Sequence, residues 1–149
     1  MKVNKPYPKW VYLCAVKDLY NHEIVTYDVS PTQNMRQVFR VLHQVSKLPL
    51  ADQVILHTDQ GFQFTNKYYM KRVTDMGLIQ SMSRRGNCRD NACIENFFRH
   101  LKAEITHFGT LETSEEVSMT IIEYINDYNH QRIQTKYDMS PIEFKLHAA

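Results

Sequence analysis

The stretch from Leu56 to Lys102 constrains the fold most. It begins with a short apolar strand ending in His57-Thr58-Asp59-Gln60-Gly61 and finishes in a helix that carries Asp90 to Lys102. The 35 residues separating Asp59 from Glu95 suffice for one helix, one further strand and a loop, so the two carboxylates can be brought together. An acid at the carboxyl end of a strand, beside a glycine turn, is where open α/β sheets place functional groups. At helical spacing, Ile94, Phe97, Phe98, Leu101 and Ile105 form an apolar stripe, whereas Asn91, Glu95, Arg99 and Lys102 recur on another side. One face is suited to packing and the other to binding. The net charge of the chain is only +2, but Arg84, Arg85, Arg89, Arg99 and Lys102 outnumber Asp90 and Glu95 around this stretch.

The flanking sequence supplies the elements of a single α/β domain over residues 1–149. Pro6 and Pro8 interrupt the first nine residues, which cannot form a long regular element. Trp10 to Val16 reads as a strand buried on both faces, Asp18 to His22 as a turn, and Glu23 to Val29 as the returning strand of a hairpin. Met35, Val38, Phe39, Leu42 and Val45 form an amphipathic stripe that can cover a sheet, bounded by Pro49. A strand from Gln53 to Thr58 follows, then a helix from about Asn66 to Met76 with Tyr69, Val73 and Met76 inward and Gly77 as its stop, and then a strand from Leu78 to Met82. Ser83 to Arg89 is a polar loop. Thr113-Ser114-Glu115-Glu116 has the form of a capping box, opening a helix with Val117, Ile121, Tyr124, Ile125 and Tyr128 inward. Ser140-Pro141-Ile142-Glu143 repeats the signal for a short last helix. No repeat or linker divides the chain.

No apolar run of about 18 residues exists and the start lacks a secretory pattern, so a cytoplasmic protein with no membrane partner is expected. Cys14, Cys88 and Cys93 are odd in number and lack zinc-site spacing, which points to free thiols in a reducing compartment.

Carboxylates beside phosphate-gripping cations suit a hard metal ion. Mg²⁺ is commonly held by one or two carboxylates plus substrate phosphates, and paired ions can drive in-line displacement at a phosphodiester. Taken singly, an Asp after a strand is more often a turn former, and a Glu on a helix is usually solvated surface.

In combination the residues say more. His57-Thr58-Asp59-Gln60-Gly61-x-x-Phe64, with Gly86-Asn87-x-x-Asp90-Asn91-Ala92-x-x-Glu95-x-Phe97-Phe98, resembles the integrase core of bacterial insertion-sequence transposases, which are related to retroviral integrases. The tail, Tyr128-Asn129-x-x-Arg132 and then Met139-Ser140-Pro141-x-Glu143, is similar to the end of that family's catalytic subunit. The resemblance implies a ribonuclease-H-like fold, a mixed five-stranded sheet flanked by helices. It implies an Asp-Asp-Glu triad binding two Mg²⁺ or Mn²⁺ ions, in which Asp59 matches the second Asp and Glu95 the Glu. The implied activity is DNA strand cleavage and strand transfer in DNA integration, by a homo-oligomer. Arg84, Arg85 and Asn87 match a loop near the active site, and Asn91, Arg99 and Lys102 fall on the face expected to meet DNA.

One departure matters. The family's first Asp lies on a strand preceding the Trp10 to Val16 strand, and Met1 to Lys9 looks like the connector after it. The chain therefore resembles a transposase core lacking its amino-terminal part, with two acids where three are expected. Asp18 is more simply a turn residue than a replacement, and Asp90 reads as a helix N-cap before it reads as a metal ligand. The family's absent strand lies between the Trp10 to Val16 and Gln53 to Thr58 strands. Either Lys2 to Tyr7 is expected to substitute for it, or pairing between chains fills the gap. The alternative function is a catalytically inactive remnant that binds DNA or self-associates.

Overall fold

The computed structural model describes residues 10–84, 88–107 and 111–148. Arg85, Gly86 and Asn87, and the Lys2 to Tyr7 segment, lie outside the described residues.

β-Branched and aromatic residues make β1 (Tyr12–Lys17) and β2 (Ile24–Ser30) an antiparallel hairpin with Tyr12 opposite Ser30. Asp18 takes the role of turn residue, its Oδ1 accepting the Tyr20 N–H at 2.8 Å. Alternation along β1 feeds two cores. Leu13 and Ala15 pack against the first, and Cys14 and Val16 against the second. Both faces are thus packed, but every β1 residue is half-buried rather than buried as expected, and β2 is its only ladder partner among the described residues. Burial pushes the Cys14 thiol up to about 11, with Asp28 adding to the shift, so it behaves as a small core residue.

Helix α1 (Met35–Val45) begins where the Asn34 side chain accepts the Gln37 N–H at 3.1 Å. The buried Gln37 amide donates to the carbonyls of Tyr12 and Asp28, both at 2.9 Å, and so pins the helix to both strands of the hairpin. Arg40 grips the Asp28 carboxylate with two donors, at 2.8 and 2.7 Å.

The second ladder is parallel. β3 (Ile55–Thr58) and β4 (Ile79–Met82) pair from Ile55 opposite Ile79 to Thr58 opposite Met82, with α2 (Lys67–Asp75) as the crossover that parallel strands need. Asn66 caps α2, and Gly77 at φ 73° provides the left-handed residue beyond its end. Tyr69 and Val73 face the second core together with Val38, Leu42, Val45 and Leu78.

Cys14 and Val16 of β1, and Val54 and Leu56 at β3, pack against that same core, yet the two ladders remain separate among the described residues. Four described strands thus stand where the resemblance implies five. No described strand bridges β1 and β3, the place named for the absent one.

A short 3-10 turn (Cys88–Asn91) leads into α3 (Ala92–Ile105), followed by α4 (Ser114–His130) and α5 (Pro141–Ala148). The first core joins Phe97, Leu101 and Ile105 of α3 to Val117, Ile121, Tyr124, Ile125 and Tyr128 of α4. Both reciprocal caps form: Thr113 with Glu116, and Ser140 with Glu143. The carboxyl-terminal part is fastened to the hairpin. Asn129 accepts the Ile24 N–H at 2.9 Å and donates to the Ile24 carbonyl at 3.0 Å, filling the role of a pairing strand. Buried Asn21 donates to the Pro141 carbonyl at 3.2 Å, and the Tyr137 hydroxyl donates to the Tyr20 carbonyl at 2.6 Å.

Candidate functional site

Asp59 is exposed immediately after β3. Its Oδ1 accepts the Gly61 N–H at 2.7 Å, so the carboxylate folds back over its own turn. A Cβ at position 61 would lie 2.8 Å from that oxygen and 2.9 Å from Gln63 Oε1, which explains the glycine by close approach.

Glu95 sits in the first turn of α3 and is exposed. A groove of about 400 Å³ is lined by Glu95, Phe98, Arg99 and Lys102, one carboxylate and two cations around the edge of a half-buried ring. Packing dictates this arrangement, because the opposite side of α3 is buried through Phe97, Leu101 and Ile105. Glu95 and Lys102 make no hydrogen bond or ion pair among the described residues, and Arg99 bonds only Asn96. Asn91, half-buried, occupies the N-cap position of α3 without a side-chain cap bond.

The expected cap role of Asp90 is therefore overturned. Its carboxylate instead accepts the Arg84 N–H at 3.0 Å and the Arg84 guanidinium at 3.3 and 3.2 Å. The Arg84 hydrogen bonds hold the Asp90 carboxyl below the usual carboxylate range. An upstream arginine offers a stronger partner than a neighbouring backbone amide, because both members of the pair are charged. Arg84, matched to the loop near the active site, forms this pair with its side chain still exposed.

Sequence reasoning missed the groups that connect the two acids. His57 lies opposite Ser81 in the β3–β4 ladder, its Nδ1 3.0 Å from Ser81 Oγ and its Nε2 3.1 Å from Ser83 Oγ. Ser83 is tied back to the strand as well, through N–H and Oγ donation to the Thr58 carbonyl at 2.9 and 3.3 Å. Gln60 donates to the Ser83 carbonyl at 3.0 Å. Ser81 and Ser83, two residues apart, fall on one side of the chain, and only the register of the ladder sets Ser81 opposite His57. Lys17, at the end of β1, donates to the Cys93 carbonyl at 3.3 Å and lies 5.5 Å over the Tyr128 ring, so the hairpin also touches the start of α3. Burial lowers its pKa against the opposing influence of Cys93.

The structure thus gathers Glu95, Arg99 and Lys102 in one groove, with Asp59 outside its lining. Among the described residues no group of three or more His, Cys, Asp or Glu side chains is placed to hold a metal ion. A larger groove of about 510 Å³ on α1, lined by Arg36, Phe39, Arg40, His43 and Gln44, contains no carboxylate and offers no comparable chemistry. No described helix is long and apolar enough to cross a membrane.

Two family profiles, each described as an integrase core domain, match residues 2–88 and 95–148. Over 91% of its length the chain is 40% identical to an uncharacterized transposase-like protein of Haemophilus influenzae, of which it spans 63%. Over 97% of its length it is 36% identical to the putative transposase InsK for insertion sequence element IS150 of Escherichia coli strain K12, of which it spans 56%. The crystal structure of the catalytic core domain of BIV integrase shares its fold at a TM-score of 0.70 and 19% identity, covering 99% of this chain and 90% of that one. The split ladders and their helices are therefore a ribonuclease-H-like fold.

Proposed function

The chain belongs to the integrase core domain family, and we propose that it is a catalytic portion of an insertion-sequence transposase, cutting and joining DNA strands with Mg²⁺ or Mn²⁺. The observation that carries this reading is the exposed groove in which Glu95 stands beside Arg99 and Lys102.

Asp59 and Glu95 would hold the metal. Both are exposed oxygen donors; Asp59 Oδ1 is turned to Gly61 while its other oxygen is unused, and Glu95 has both oxygens available. Such a set suits a hard cation completed by water and substrate phosphates. When bound, the ion supplies activation of a water or a 3′-hydroxyl and stabilisation of the leaving oxygen. The protein's own part is to bind and orient. Arg99 offers a planar fork and Lys102 a compact charge to the DNA backbone, contacts that set register rather than sequence. Asn91 borders the same face, while Arg85 and Asn87 lie outside the described residues and enter this reading from the resemblance alone. Self-association of the chain belongs to the same proposal.

Mn²⁺-dependent nicking of a labelled duplex tests it. Activity that falls to background in Glu95→Gln is the expected result. Equal activity in both proteins, or none in either, would overturn the reading.

A second reading is favoured by the lack, among the described residues, of any group of three or more His, Cys, Asp or Glu side chains placed to hold a metal ion. In it the chain binds DNA or itself without catalysis. Affinity then falls steeply with salt, with a logarithmic slope of about −0.9 per neutralised phosphate, and replacing Arg99 and Lys102 by Ala together flattens it by about 2. Salt-independent binding would contradict it.

A further inference from the structure

We propose that His57 is a positioning residue that sets where Glu95 stands relative to Asp59, acting through Ser83. The inference rests on the reading of those two acids as a metal-holding pair. His57 is two residues before Asp59 on β3, and its ring spans from Ser81 to Ser83 on the neighbouring strand. Each ring nitrogen has one serine hydroxyl as its partner, Nδ1 facing Ser81 Oγ at 3.0 Å and Nε2 facing Ser83 Oγ at 3.1 Å.

The two bonds are unequal in consequence. Ser81 lies inside β4, where ladder hydrogen bonds already hold it opposite His57. Ser83 is the first residue beyond β4 and leads directly to Arg84, whose backbone and guanidinium both bind Asp90, one residue before the cap of α3. A continuous path runs from β3, which ends beside Asp59, through His57 Nε2 and Ser83, to Arg84, Asp90 and the first turn of α3 that presents Glu95. Gln60, bonded to the Ser83 carbonyl from the other side of Asp59, supports the same junction. A side chain that merely filled space beneath the turn would not need both ring nitrogens engaged.

The test uses side chains that keep one ring position each. Gln reaches the position of Nε2 and keeps the Ser83 bond; Asn reaches only the position of Nδ1 and keeps the Ser81 bond. Mn²⁺ binding to the full chain, followed by electron paramagnetic resonance, is expected to survive in His57→Gln and Ser81→Ala. It is expected to weaken on the order of tenfold in His57→Asn and Ser83→Ala, the lower end of what outer-shell changes cost at metal sites. Amide hydrogen exchange at residues 90–95, measured without metal, should rise in the same two variants and not in the other two. Equal behaviour of His57→Gln and His57→Asn in both measurements would overturn the inference. Asp59→Asn separates it from the reading beneath. Where wild type binds Mn²⁺ no better than Asp59→Asn, the metal pair fails on its own, and the exchange pattern alone then supports or overturns the His57 link.

Discussion

At the hairpin, Asn129 pairs with both backbone groups of Ile24, the Tyr137 hydroxyl donates to the Tyr20 carbonyl, Asn21 of the turn donates to the Pro141 carbonyl, and Lys145 adds an ion pair to Glu23 at 2.9 Å. On the exposed face of α3, by contrast, Glu95 and Lys102 have no partner among the described residues, and Asp59 bonds only its own turn. Buried polar groups that find partners specify one arrangement, whereas exposed unpaired charges contribute little to stability and stay available to a ligand. The carboxyl-terminal motif that resembles other transposases is thus a fastening in this chain: Asn129 stands in for a strand at Ile24, and Arg132 pairs with Glu104 at 2.6 Å while donating to the Tyr124 hydroxyl. Residues that form part of one family signature serve two different ends.

The contrast can be broken from the hairpin side first. Asn129→Ala leaves the buried Ile24 N–H and carbonyl without their partner, and a loss of about 2–6 kcal/mol is expected at about one to three per orphaned group. A lower urea midpoint with an unchanged slope is the sign to look for, and a change below about 0.5 kcal/mol would show that the tail merely rests on the hairpin. Asp90→Asn should act more weakly and in a pH-dependent way. Because the Arg84 bonds lower the folded pKa of Asp90, its contribution is present above the ordinary Asp value of about 3.9 and is lost as pH falls through the folded value. Stability of wild type and Asp90→Asn should therefore converge on acidification; a constant difference across that range would mean that the ion pair is not the source.

Much of this was legible in the sequence, for local reasons. The boxes at Thr113 and Glu116 and at Ser140 and Glu143, and the stop at Gly77, depend on residues within a few positions of one another. The inward stripe of α4 follows from helical period alone, and all five of its expected residues are buried. What was not legible is non-local. Nothing near Asp90 indicates that Arg84 will outcompete the helix N-terminus for its carboxylate, and no spacing rule assigns Asn129 to a strand 105 residues earlier. The His57 link escaped because a histidine after two apolar residues reads as an ordinary strand residue until the register sets it opposite Ser81. The five-stranded sheet came from resemblance rather than from pattern, and the described strands supply four of it.

If function resides with the exposed acids and stability with the fastened hairpin, removing either acid must separate the two properties. Denaturant stability and Mn²⁺-dependent nicking, measured together on wild type, Asp59→Asn and Glu95→Gln, make that separation directly. The expected result is stability within about 0.5 kcal/mol of wild type, as for exposed substitutions, with nicking reduced to background in both variants. Nicking retained in either variant, or lost only in proportion to a lower stability, would contradict it.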